Sequence, residues 1–219
     1  MTAGTSARAL QAEVTKDLTA LFEGTNYKTP FTLTEAELRQ LLPDDPEEWT
    51  EAQQKYWAEL QKDFNRHRMA APIAYAQFLP LRETKSPEAP AWSDDEEPED
   101  DPPEPPQDPE TDDDPFPYLI VRLDRGGIAG PDAPHRISVI VLIGIFDDDP
   151  RNQGHIAVME IIERIQQHYQ ETPALGAFSV ADEFNWALQD EESYPYYFGV
   201  CSFAFDAPPP RVTQWEDLV

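Results

Sequence analysis

Three consecutive carboxylates, Asp147, Asp148 and Asp149, stand just ahead of a strongly helical stretch, with Asn152 close behind. Oxygen ligands in such a run could hold a divalent cation, but the spacing does not match the alternating ligand positions of a calcium loop. The reading adopted is a turn whose charges favour the positive end of the following helix. The four histidines, His67, His135, His155 and His168, form no pair at i+3 or i+4, and Cys201 is remote from all of them, so no zinc site is expected. Cys201 sits among aromatics with no basic neighbour to lower its pKa, and it reads as a packing residue. Glycine patterns for a nucleophile elbow, a phosphate loop or a dinucleotide are absent. Arg125-Gly126-Gly127 reads as a turn. Carboxylates are abundant, but acid–base catalysis needs burial or a shifted pKa. The expectation is a non-enzyme with no catalytic residue, no metal and no cofactor. The one local basic cluster, Asn65-Arg66-His67-Arg68, reads as cations at a helix C-terminus, with docking on an acidic partner as the alternative.

The chain has 219 residues and a formal net charge of -27. That length suits one domain over 1–219 and is enough to bury a core. Such acidity argues against a phosphate-neutralising nucleic-acid surface and against anionic membranes. The segment Asp94–Asp114 holds 13 acidic residues and no basic one, so it carries nearly half the net charge. A single cysteine allows no intrachain disulfide. The N-terminus lacks a signal-peptide pattern, and the longest apolar run, over 137–146, is too short to span a bilayer as a helix. A soluble protein of a reducing cytoplasm is expected.

Apolar spacing predicts a helix over 7–22, through Ala7, Leu10, Val14, Leu18 and Leu21, with Gly24 as its stop. The stretch 26–30 reads as turns. A helical insertion is expected over 32–70. Thr34 and Glu37 form a capping-box pattern there, and Asp45-Pro46-Glu47-Glu48 announces a further helix running to about Arg68. Trp49, Tyr56, Trp57, Leu60 and Phe64 line one side of that helix and read as its core face, with a partner surface as the alternative for Trp49, Tyr56 and Trp57. Residues 72–81 look like a strand. The Asp-, Glu- and Pro-rich stretch 84–116 offers almost nothing to bury, and its charges repel, so a long disordered loop is expected. Strands are predicted over 118–123, 136–146, 178–188 and 196–206, with a turn over 125–134. The strand 136–146 is apolar on both faces, the mark of a central strand covered on both sides. A strong helix is predicted over 153–170 from Val158, Ile161, Ile162, Ile165 and Tyr169. The fold class expected is α+β: a twisted, mainly antiparallel sheet of about five strands packed against helices.

The second half resembles the tail terminator, or tail completion, proteins of tailed bacteriophages. The features that carry the likeness come in order. A strand ends in the acidic turn Phe146–Asp149, and Gln153-Gly154 opens the main helix. Then come Trp186-Ala187-Leu188, an acidic loop, the strand start Pro195–Gly199, and the polar tail Glu216-Asp217-Leu218. The pieces YAQFLP and PFPYLIVRL fit as the first two strands, and the likeness covers about two-thirds of the chain. The insertion and the acidic loop are longer than the family pattern.

The resemblance implies a structural virion protein of the neck, a homo-oligomer forming a hexameric ring at the head-proximal end of the tail tube. Its partners would be the tail tube protein and the head-side connector or stopper. Genome DNA would pass through an acidic lumen without specific binding. Ring or partner contacts are expected at Asp147, Asp149, Asn152, His155 and Glu163, and in the tail at Arg211, Trp215, Glu216 and Asp217. The rival readings are another neck protein (a connector or stopper) and an acidic DNA mimic. The mimic would need charges held at duplex spacing, which a proline-rich coil does not provide.

Overall fold

The computed structural model describes residues 6–34, 37, 49–60, 67–80, 115–130 and 133–208. Most of the acidic stretch 84–116, the Asp45-Pro46 helix start, Phe64 and the tail from 209 onward lie outside the described residues.

Helix α1 spans Ala7–Leu21. Ser6 caps it, its hydroxyl accepting from the Ala9 N–H at 3.2 Å. Leu10, Val14, Leu18 and the following Phe22 are fully buried, and each such apolar side chain stabilises the fold by about 1.5–3 kcal/mol. Gly24 ends the helix with φ +78°, a conformation that favours glycine.

The next segment departs from the predicted turns. Tyr27–Thr32 is a strand, β1, and His67–Ala70 is its antiparallel partner, β2. Pro30 and the shortness of β2 hide this ribbon from pattern reading. Between them lies helix α2, Glu51–Leu60. Thr50 caps it: Thr50 and Gln53 form a reciprocal capping box, with bonds of 2.9 and 3.3 Å. The expected box at Thr34 and Glu37 is present, with bonds of 2.8 and 3.3 Å. The helix does not reach Arg68. His67 and Arg68 are strand residues, so they are not cations at a helix end. Among the described side chains of α2, none joins the core. Tyr56 is 51% exposed, and Trp49 and Trp57 pack edge-to-face on each other.

The main sheet is six-stranded, in the order β3-β4-β5-β8-β7-β6. Its strands are β3 (Ile73–Ala76), β4 (Tyr118–Ile128), β5 (His135–Phe146), β6 (Ala174–Leu175), β7 (Phe178–Leu188) and β8 (Tyr196–Ala207). All neighbours are antiparallel except β3 and β4, which are parallel. A parallel pair needs a crossover connection, and the acidic stretch supplies that chain length. The fold is α+β, as expected. Two details differ. The first strand is only four residues long, and β4 continues through Arg125-Gly126-Gly127, with an irregularity between Leu123 and Gly126, where a turn was expected.

Helix α3, Gly154–Glu171, buries Val158, Ile161, Ile162, Ile165 and Tyr169. It packs across β5, β8 and β7, while α1 covers β3 and β4. The core lies between these helices and one sheet face: Leu119 and Val121; Ile137, Val139, Val141, Ile143 and Ile145; Cys201, Phe203 and Phe205. The strand β5 is central but not covered along both faces. On the far face Ser138, Ile140 and Leu142 are half-buried, and only Gly144 and Phe146 are buried. Phe116, Tyr118, Tyr196 and Phe198 cluster over that end. Tyr118 lies where a side chain on Gly144 would have to be. Among the described residues, no helix is long and apolar enough to cross a membrane.

Candidate functional site

Four of the residues singled out by sequence, Asp147, Asp149, Asn152 and His155, lie at the end of the sheet where β5 finishes, β8 begins and α3 starts. The Asp147 N–H donates to the Pro195 carbonyl at 2.9 Å, tying the two strand ends together. The chain then turns on its own carboxylates. The Asp149 N–H donates to Asp147 Oδ1 at 3.2 Å, and the Arg151 N–H to Asp149 Oδ1 at 3.0 Å, the local bonding that makes aspartate a turn residue. Asn152 closes the turn at φ 53°, a region asparagine tolerates better than most residues. Gly154 follows because the Tyr197 ring occupies the space a side chain there would need. The Tyr197 hydroxyl donates to Asn152 Oδ1. The Tyr194 hydroxyl donates to the Asp148 carbonyl at 2.7 Å.

The three carboxylates diverge, and each meets its own partner. Lys28 Nζ lies 2.7 Å from Asp147 Oδ1 and 3.5 Å from Asp148 Oδ1. His67 Nε2 lies 2.8 Å from Asp148 Oδ2. Arg151 closes on Asp149 at 2.6 Å. Hydrogen bonds from the Arg151 side chain and backbone hold the Asp149 carboxyl down at about 2. The helix-dipole role expected for these acids is therefore replaced by pairing. The first turn of α3 contains no acidic residue, and Gln153 makes no side-chain cap bond. No group of three metal-capable side chains occurs among the described residues.

The ribbon β1–β2 is thus pinned to the sheet end by Lys28 and His67. The His67 ring is buried against Phe146, with centroids 5.0 Å apart. Its Nδ1 has no hydrogen-bond partner among the described residues.

Asp147, Asp149, Asn152 and His155 therefore gather in one place. His155, exposed on the first turn of α3, lines a cavity of about 310 Å³ with Asn152, Glu192 and Tyr197. Glu163 lies apart, exposed farther along α3. Arg211, Trp215, Glu216 and Asp217 lie outside the described residues. Sequence reasoning missed Lys28, His67, Arg151, Tyr194 and Tyr197. Only Arg151, two residues after Asp149, had a local signal. Cys201 is fully buried, and burial pushes its thiol up to about 12, as a packing cysteine requires.

A second concavity, about 630 Å³, lies at the opposite end of the sheet between Arg125–Ala129, Arg136 and Glu183. Arg136 is held there by Asp206 through two bonds of 2.9 Å, which lower the Asp206 pKa. No protein-family model matches the chain, and no curated protein matches it at a significant level.

Proposed function

We propose that the chain is a tail terminator, a structural virion subunit. It closes into a ring at the head-proximal end of a phage tail tube and joins the tube to the head-side connector. The observation that carries the reading is the convergence of the residues behind the family likeness. Phe146–Asp149 and Gln153-Gly154 share one stretch of sequence, about forty residues before Pro195–Gly199. In the fold they interlock through Asp147 with Pro195, Gly154 with Tyr197, and Tyr194 with Asp148. An ordered set of motifs that builds one structural corner is what a shared fold needs, and no reaction is assigned to it. Subunits of this kind associate through heterologous contacts whose rotation closes. An acidic lumen lets genome DNA pass without sticking, because like charges repel.

The test is light scattering with negative-stain imaging of the purified chain. Closed rings of cyclic symmetry, hexameric on this reading, are expected. Single subunits at every concentration, with no binding to tail tubes, would overturn the proposal.

A further inference from the structure

The sheet ends on two edges of different chemistry. On one side β6 covers β7 only at Phe178 and Ser179, so among the described residues Ala181–Leu188 has no strand on its outer flank. On the other side, among the described residues, β3 is outermost, and β4 runs beyond it from Arg122 to Ile128. An unpaired edge is a template for another strand. Each edge also exposes large apolar side chains: Trp186 is 52% exposed on β7, and Ile73 and Phe78 are 53% and 69% exposed at β3.

Charge separates the two edges. Residues 172–207 include Asp182, Glu183, Asp190, Glu191, Glu192 and Asp206, and no Lys, Arg or His. The described part of the other edge carries Arg122 and Arg125 against Asp124, residues 67–80 contain no acid, and the acidic stretch joining β3 to β4 lies outside the described residues. Contact of the acidic edge with its own copy is repulsive, whereas acidic against basic is attractive. The strand geometry agrees. Register runs from Trp186 to Cys201, Val141, Val121 and Ala76, so β3 and the open part of β7 lie at the same level. With antiparallel steps from β4 to β7 and a parallel step to β3, a neighbour's β3 would run antiparallel to β7.

We infer that the β7 edge of one copy docks on the β3–β4 edge of a second copy, head to tail. The contact covers Trp186, Ile73 and Phe78, and it sets Glu183 of β7 near the level of Arg122 and Arg125. This inference rests on the ring reading and names its interface. Because the two edges differ, each subunit offers one of each, and the series closes only when the rotation between copies closes.

Two blocked variants test it by sedimentation velocity, Arg122→Glu and Trp186→Glu, each checked for fold by circular dichroism. If Trp186→Glu loses its fold, Ala187→Lys at the same exposed edge replaces it. Each variant alone is expected to stay monomeric where the wild type assembles, with self-association at least about tenfold weaker. Their equimolar mixture is expected to give a dimer and nothing larger, since one variant keeps its β7 edge and the other its β3–β4 edge. If only the β7 variant fails to assemble, the contact is isologous or belongs to another partner, and the inference falls. Wild-type rings unchanged in both variants would overturn this interface and leave the ring reading standing. A wild type monomeric at all concentrations would overturn both.

Discussion

Adding one methyl group at Gly199 tests how α3 is held on the sheet. Gly199 pairs with Ile143 on one side and Leu188 on the other. A Cβ there would come within 3.0 Å of Val158 Cγ1 and sit 3.4 Å from Ile162 Cδ1 and Leu188 Cδ2. Val158 is fully buried, and a β-branched side chain on a helix has essentially one rotamer, so it cannot swing away. Relief must come from moving α3. Such overpacking costs about 1–3 kcal/mol, less about 0.4–1 kcal/mol gained by removing a glycine from the unfolded chain. The expected cost of Gly199→Ala is therefore about 1–2 kcal/mol in urea unfolding followed by circular dichroism, with the slope unchanged. Val158→Ala should cost about 2 kcal/mol, from two buried carbon groups plus a partial cavity. In the double variant the new methyl occupies part of that cavity. The two changes should therefore offset each other by at least about 1 kcal/mol. Additivity within about 0.3 kcal/mol, or a neutral Gly199→Ala, would refute this packing.

Three further outcomes follow from the same structure. The Asp149 pKa is lowered to about 2, so its pairing with Arg151 stabilises the fold fully above the ordinary carboxylate range and is lost as pH falls through about 2. Acid unfolding of Asp149→Asn should lack that contribution, and an unchanged acid profile would contradict it. The Cys201 thiol, buried and raised to about 12, should resist thiol reagents at neutral pH and react at full stoichiometry only in denaturant. Prompt native labelling would place it elsewhere. Deleting residues 88–113 leaves about 15 residues between β3 and β4, against a return path of about 13 Å along a four-residue strand. The shortened chain should fold with its unfolding midpoint unchanged or slightly raised, since a shorter loop closes at lower entropic cost. An insoluble product would make that stretch part of the core.

Much of this fold was legible because its signals are local and strong. Helix α1 and helix α3 announce themselves through buried residues at helical spacing, and β7 and β8 through their aromatic alternation. The β1–β2 ribbon was not legible. Its stability comes from pairing residues about forty positions apart, and neither strand alternates over enough length to stand out. His67 shows the consequence: a residue read as a helix-end cation is a buried partner of Asp148, because the helix stops before it. The turn at Asp147–Asn152 was located correctly, but its chemistry was not. The partners of Asp147 and Asp148 are Lys28 and His67, which only the folded chain brings near. The bulged Arg125-Gly126-Gly127 stretch was read as a turn from its glycines, yet pairing with β5 keeps it extended.

The proposal that this chain caps a tail tube is tested most directly by labelling the protein and imaging it on assembled tubes. Label is expected at one end of each tube, the head-proximal end, with tube growth halted there. Label along the tube length, at both ends, or nowhere on the tube would contradict it.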